Sequence, residues 1–204
     1  MLRLYRFPFS TNVERVALAL AFKGLEVESV QVDPDDRRVA REVSGQDLVP
    51  VLVDGDQVVT DSVRILFHLE RRFPDPPLFP AAPAARAQVE LFLDWFNRTW
   101  KREPNLIADA LDAGEGETDA SRRWSARLQA RLDLFEGLLA GGDHLFGPFG
   151  AADCAAWPFL RYGVAIAPED TETFHRVIHE RMPVGPQHPR LLAWIDRVSA
   201  RPQV

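Results

Sequence analysis

A serine at the start of a predicted helix is the first candidate for chemistry in this chain. Ser10 follows a strand-like segment and stands where an apolar helical pattern begins. A hydroxyl at that point can donate a hydrogen bond to a thiolate, and the positive end of the helix adds to the stabilisation of an anion. The same hydroxyl is also an ordinary helix cap, and Thr11 with Glu14 has the spacing of a capping box. The residues alone favour the cap.

A second candidate lies in residues 48–62. Two short β-branched runs stand on either side of Asp54-Gly55, a strong turn signal, and Pro50 precedes the first run. Asp61 and Ser62 then open a helix, so backbone N–H groups and a hydroxyl can face an anion. We expect an exposed strand edge beside a carboxylate-sized anion site, suited to a small peptide. The alternative is that Asp61 or Ser62 only caps its helix.

Three other residues carry weaker signals. His175 and His179 have the i, i+4 spacing of a metal pair, but no third ligand is evident, so solvated histidines and no metal site are predicted. Cys154 is the only cysteine and is predicted to be a small core residue.

Aromatic stripes mark the predicted helices of the second half. Phe92, Trp95 and Phe96 are expected to pack in a core, although one edge of their stripe could line an apolar pocket facing the first domain. A second apolar stripe is predicted to lie in the core only; it consists of Trp124, Leu128, Phe135 and Leu138. A row of arginines is predicted to form a solvated helix face; it consists of Arg122, Arg123, Arg127 and Arg131.

The elements that must position these residues follow a simple order. The first eighty residues read as β-α-β-α-β-β-α, in which strands joined through a helix are parallel and the final pair is an antiparallel hairpin. Prolines dominate a linker over 73–83, and no convincing strand follows it. We therefore predict an α/β domain over 1–76 and an all-helical domain over 84–204. The predicted helices of the second domain run over about 84–110, 119–140, 151–166, 171–181 and 189–200.

The sequence predicts where one helix of the second domain begins. Asp153 stands three residues after Gly150, in the position of a capping-box acid, and Phe149 can pack against Cys154.

Bulk properties limit the functional classes. The net charge of −6 argues against nucleic acid and against an anionic membrane surface as partners. The longest apolar run, 16–22, is too short to span a bilayer, and the N-terminus lacks the pattern of a signal peptide. A single cysteine excludes an intramolecular disulfide and fits a reducing cytoplasm.

The order of several short motifs resembles that of cytosolic glutathione S-transferases, in particular the bacterial, phi-like serine type. The matching segments are 7–16, Lys23-Gly24-Leu25, Val49-Pro50-Val51-Leu52, Asp61-Ser62, Ala152-Asp153 and the tail over 189–202. The resemblance implies a thioredoxin-like N-terminal domain followed by an all-α C-terminal domain. It also implies conjugation of a thiol, with glutathione as co-substrate and no cofactor, in a cytoplasmic homodimer with a role in detoxification.

The resemblance also assigns roles. Ser10 would be the catalytic residue that donates a hydrogen bond to the glutathione sulfur, and the bond between Val49 and Pro50 would be cis. The Val49 backbone would pair with the cysteinyl part of glutathione, while Asp61 and Ser62 would hold its γ-glutamyl end. The electrophile would contact Phe9, Phe92, Trp95 and Phe96.

One departure from the family pattern keeps other functions open. Leu48 stands where the family often has Lys or Gln, so the polar contact to the glycyl end of glutathione is missing. This favours a non-catalytic thiol- or ligand-binding protein as one alternative. A zeta-like isomerase or dehalogenase is another, although the Ser-Ser-Cys run of that class is absent. No cysteine precedes Cys154, which disfavours thiol–disulfide chemistry.

Overall fold

The chain divides after Pro80 into an α/β unit and a helical unit in this computed structural model, which describes residues 1–204. The α/β unit comprises Met1–Pro80 together with Arg201–Val204, and the helical unit comprises Ala81–Ala200. The last four residues therefore pack with the first part of the chain, which the sequence pattern did not predict.

The α/β unit has the element order that the sequence predicts. Its four-stranded sheet has the order β2-β1-β3-β4, in which β1 is parallel to β2 and β3 is antiparallel to both β1 and β4. This confirms a thioredoxin-like domain. The elements are β1 (Leu2–Arg6), α1 (Thr11–Phe22), β2 (Val27–Gln31), α2 (Arg38–Ser44), β3 (Val51–Asp54), β4 (Gln57–Thr60) and α3 (Ser62–Arg72).

Helix α2 begins later than the predicted Asp35. The Asp33 carboxylate accepts a hydrogen bond from the Asp35 N–H, and the Asp36 carboxylate accepts one from the Arg38 N–H. Aspartate side chains that bind nearby N–H groups in this way compete with the helix for them. The segment therefore turns twice before the helix starts at Arg38.

The hairpin of residues 48–62 supplies the predicted exposed strand edge through β4, which ends next to Asp61, and not through β3. This strand lies between β1 and β4, so both of its edges are paired, and the edges of the sheet are β2 and β4. The main chain just before β3, around Val49, also lies outside this strand pairing.

A buried ammonium group fixes the proline-rich linker to the α/β unit. Lys23, at the end of α1, donates from Nζ to Glu70 Oε2 (3.2 Å) and to the carbonyl oxygens of Phe73 (2.6 Å) and Pro76 (2.7 Å). Glu70 Oε2 also accepts from the N–H of Leu78 (2.8 Å). These hydrogen bonds fix the backbone conformation at the start of the linker, although this segment has no regular secondary structure.

The helical unit contains more breaks than the sequence predicts. The predicted helix 84–110 is interrupted by a π-helical turn, and the predicted helix 119–140 breaks at Arg131. The elements are α4 (Pro83–Trp95), the π-helical turn Phe96–Trp100, α5 (Arg102–Asp112), α6 (Asp119–Ala130), α7 (Leu132–Leu138), α8 (Ala151–Leu160), the 3₁₀ turn Arg161–Gly163, α9 (Thr173–Arg181) and α10 (Pro189–Ser199). None of the helices combines the length and apolarity needed to cross a membrane.

An aromatic cluster forms the centre of this unit. Phe96 stacks on Trp100 with ring centroids 4.5 Å apart and meets Phe135 and Phe159 edge to face. Cys154 lies on α8, the same helix as Phe159, and is completely buried, as predicted for a core residue.

A buried carboxylate holds the start of α8. Asp153 accepts hydrogen bonds from Gly150 N (3.0 Å), Leu145 N (2.9 Å) and Trp194 Nε1 (2.7 Å). The bond to Gly150 confirms the predicted capping-box acid. Burial raises the pKa of Asp153 to about 6, although the hydrogen bonds that it accepts lower it.

Candidate functional site

Ser10 is the N-cap of α1. Its Oγ accepts a hydrogen bond from Val13 N at 3.4 Å, and its carbonyl accepts the first helical bond, from Glu14 N at 3.0 Å. The helix therefore starts at Thr11, which is buried, and the cap is one residue earlier than in the predicted box of Thr11 with Glu14.

The Ser10 hydroxyl can still donate a hydrogen bond while it caps the helix. The bond from Val13 is long, and it uses only a lone pair of the oxygen, so the hydroxyl proton stays available for donation. The side chain is half-buried, not enclosed in the interior. The cap and the thiolate donor are thus compatible functions of one group.

The residue before Ser10 has a strained backbone. Phe9 has φ +60°, a left-handed conformation that costs a bulky side chain roughly 1–3 kcal/mol and tends to occur at functional sites. Phe9 itself is half-buried in the α/β unit. The surrounding structure holds this turn in place and so sets the position of Ser10.

Asp61 begins α3 with one carboxylate oxygen engaged and one free. Oδ1 accepts hydrogen bonds from Val63 N and Arg64 N, both at 3.0 Å, which confirms the capping interpretation. Oδ2 makes no hydrogen bond, and the residue is exposed with φ +70°. The second oxygen can therefore accept a hydrogen bond from a ligand ammonium group.

Ser62 is joined to α1 by a buried arginine. Arg15 is 1% exposed and donates from Nη1 to Ser62 Oγ at 3.2 Å. The guanidinium charge polarises the hydroxyl, which makes its O–H a stronger donor toward a carboxylate. The contact brings the starts of α1 and α3 together and adds positive charge to the anion site.

No role is predicted for Arg15 from the sequence. Its signal is a positive charge directly before the uninterrupted apolar run of α1, 16–22. A charge in that position is buried only with a partner, so it marks a site or an internal salt link.

Val49 supplies main-chain groups without partners. The bond to Pro50 is cis, which confirms the expectation from the resemblance. The side chain of Val49 is buried, while its N–H and C=O make no hydrogen bond within the chain. Both are therefore available to an extended ligand.

The aromatic residues predicted to contact the electrophile do not all lie at one surface in the structure. Phe92 and Trp95 line an apolar groove of about 560 Å³ between α4 and α7 in the helical unit. Phe96 does not line it, because this side chain is completely buried in the aromatic cluster. The groove is completed by Gln88, Leu91, Leu134, Leu138 and Phe146.

Three further expectations need correction. His175 is buried, not solvated, because it stacks on Tyr162 and its Nδ1 lies 2.8 Å from Asp170 Oδ2. Trp124 and Leu138 are only half-buried, so the second stripe is not core only. Within the arginine row, Arg131 is largely withdrawn from solvent, whereas Arg127 stays exposed; both bind the buried carboxylate of Glu103. No group of three or more His, Cys, Asp or Glu side chains is arranged to hold a metal ion.

Comparison with protein families gives two matches. Residues 4–77 match the glutathione S-transferase N-terminal domain, and residues 118–197 match the glutathione S-transferase C-terminal domain. The first match includes Ser10, Val49, Asp61 and Ser62.

Individual relatives agree with these matches. Glutathione S-transferase 3 of Zea mays is 32% identical over 163 residues, covering 72% of this chain and 70% of that protein. The crystal structure of a glutathione S-transferase from Rhodospirillum rubrum F11 superposes with a TM-score of 0.75 at 27% identity, covering 99% of this chain and 89% of that one. Glutathione S-transferase Z1 of Arabidopsis thaliana is 38% identical over 87 residues, which are only 39% of this chain and 38% of that protein.

Proposed function

This chain belongs to the glutathione S-transferase family, and from that premise we propose that it conjugates a small thiol to an electrophilic substrate. We propose glutathione as the thiol substrate. The observation that carries the proposal is the Ser10 hydroxyl, which caps α1 through a lone pair and keeps its proton for a ligand. Serine stabilises the nucleophile in this scheme and is not the nucleophile itself.

The energies suffice for this role. A free thiol has a pKa of about 8.5. Lowering it by about two units requires roughly 2.7 kcal/mol of preference for the thiolate. A hydrogen bond to a charged group supplies about 1.5–3 kcal/mol, and the helix end adds about 0.3–1 kcal/mol. The thiolate then attacks an electrophilic carbon, and the new S–C bond forms as the leaving group departs with its electron pair.

The second helix start suits the amino-acid end of the thiol compound. The free Oδ2 of Asp61 accepts from the α-ammonium group, while the N–H and the polarised O–H of Ser62 donate to the α-carboxylate. The free N–H and C=O of Val49 pair with the backbone of the cysteinyl residue. Each group of the ligand then meets a partner of complementary charge or hydrogen-bonding type.

The electrophile requires an apolar surface. The groove with Phe92 and Trp95 supplies one in the helical unit. Phe9 remains a prediction for the same role. We further propose a cytoplasmic homodimer that acts in detoxification; the single buried cysteine supports the reducing compartment.

A non-catalytic thiol-binding protein is the second candidate. Leu48 favours it, because its side chain is 62% exposed beside Val49 and offers no hydrogen bond to a glycyl carboxylate. A zeta-like isomerase or dehalogenase is the third, favoured by the partial match to the Arabidopsis relative.

One experiment separates these functions. Glutathione binding to the wild type is measured on immobilised glutathione, and turnover is measured with a chlorodinitrobenzene-type electrophile. Ser10→Ala is expected to lower kcat/KM at least about 10-fold, which corresponds to about 1.4 kcal/mol. Ser29→Ala, a change of an exposed serine on β2, is the matched control and should leave turnover unchanged.

The other outcomes are also informative. Binding without turnover in the wild type would support the thiol-binding protein. Absence of binding would point to a different low-molecular-weight thiol. Full turnover in Ser10→Ala would contradict the proposed role of the hydroxyl.

A further inference from the structure

A cavity lined largely by arginines on the helical unit contains none of the residues assigned to the thiol. It has a volume of about 280 Å³ and lies between α6 and the segment formed by the π-helical turn and α5. Widened π-helical turns occur frequently at functional sites. The cavity is lined chiefly by Arg98, Thr99, Arg102, Glu103, Trp124 and Arg127.

The local sequence around this cavity is strongly basic. Residues 98–102 and 122–131 contain seven of the 24 lysines and arginines and no acidic residue, in a chain whose net charge is −6. These two segments therefore carry more positive than negative charge, although Arg98, Arg127 and Arg131 are paired with the acids Asp94 and Glu103 outside them. Such a local excess attracts anions even when the whole protein is acidic.

The one acid in the wall balances part of this positive charge. Glu103 is buried and accepts from Arg127 Nε (2.8 Å) and Arg131 Nη1 (2.5 Å), so its two oxygens are already engaged. Arg98 pairs with Asp94 on the exposed surface. Arg102 makes no hydrogen bond or ion pair within the chain and lines the cavity. Arg102 is therefore the one cavity arginine without an ion pair, because Arg98 is paired with Asp94 and Arg127 with Glu103.

The remaining wall is aromatic. Trp124 is half-buried and presents its indole to the same cavity. The guanidinium group of an arginine can donate two parallel hydrogen bonds to the oxygens of a phosphate group, and the face of an indole can stack on a planar ring. A volume of 280 Å³ is at the lower end for ligand sites, which favours a small molecule.

We propose that this cavity binds a small aromatic compound that carries a phosphate group. Arg102, the cavity arginine without an ion pair, would contact the phosphate, with Arg98 beside it and Trp124 against the ring. Arg127 is held by Glu103 and so is positioned before the ligand arrives. This site is independent of Ser10 and of thiol conjugation.

The test compares phenyl phosphate with inorganic phosphate by isothermal titration calorimetry on the full chain. Phenyl phosphate is expected to bind at least 5-fold more tightly than inorganic phosphate. Arg102→Gln should weaken both ligands at least 5-fold. Its matched control is Arg123→Gln, which removes an exposed arginine of α6 outside the cavity and should change binding less than 2-fold.

Trp124→Leu distinguishes the two parts of the site. It should remove the preference for phenyl phosphate and leave inorganic phosphate within 2-fold of the wild type. Binding should also weaken as the salt concentration rises.

Three outcomes would overturn the proposal: no binding of phenyl phosphate at 10 mM, equal effects of Arg102→Gln and Arg123→Gln, or an unchanged preference in Trp124→Leu. Arg98→Gln provides a second variant at the cavity should Arg102→Gln fail to fold.

Discussion

Replacing Asp153 by asparagine tests the energetics of the buried carboxylate that begins α8. One asparagine oxygen can still accept from Leu145 N and Trp194 Nε1, as Asp153 Oδ1 does. The amide NH₂ would then face the N–H of Gly150, which now donates to Oδ2. An unsatisfied buried donor costs about 1–3 kcal/mol, so we expect Asp153→Asn to be destabilising.

The pH dependence of this loss is the sharper prediction. Because burial raises the pKa of Asp153 from 3.8 to about 6, the folded state prefers the protonated acid. The associated stability is fully present below pH 3.8 and is lost as the pH rises through about 6. The rise in pKa from 3.8 to about 6 amounts to roughly 3 kcal/mol, of which about 2 kcal/mol fall between pH 4.5 and pH 7. Asparagine does not titrate, so only the wild type has this dependence.

Urea denaturation of both proteins at pH 4.5 and pH 7 measures the effect. The wild type should exceed Asp153→Asn in free energy of unfolding by about 2 kcal/mol more at pH 4.5 than at pH 7. Other carboxylates titrate in both proteins and cancel in the difference. Asp56→Asn, a change of an exposed turn residue, is the control and should show no such dependence. An equal or larger difference at pH 7 would refute the reasoning that burial outweighs the hydrogen bonds.

Three other substitutions test the thiol site and the linker. Ser62→Ala should raise the Kd for glutathione about 10-fold, because a hydrogen bond to a charged group is lost, and should leave kcat within about 3-fold; an unchanged Kd would contradict the anion site. Leu48→Lys should lower the Kd about 2- to 5-fold by pairing an ammonium group with the glycyl carboxylate, and calorimetry that shows no gain would argue against glutathione as the ligand. Lys23→Met should cost about 3–5 kcal/mol in urea denaturation, because the Glu70 carboxylate, which is only 12% exposed, loses its cation; a loss below about 1 kcal/mol would show that the linker does not depend on this ammonium group.

The sequence identified the elements of the α/β unit because local rules determine them. Strand and helix periods, Gly24 at the end of α1 and the Asp54-Gly55 turn all act over a few residues. The caps at Ser10, Asp61 and Asp153 are local as well, since each binds N–H groups within a few positions. The same locality explains why the break at Arg131 was missed: helical periodicity continues through it.

Tertiary structure decided which charged groups are buried and what they bind. Arg15 reaches Ser62 across 47 positions, and Arg131 reaches Glu103 across 28. No periodic pattern predicts such partners, because the free energy of burying a charge depends on a group that another segment delivers. The sequence by itself thus determined the fold class, the order of elements and the hydroxyl at the start of α1. Only the assembled units decided that β3 is an inner strand, that Ser62 rests on a guanidinium group, and that three arginines and an indole share one cavity.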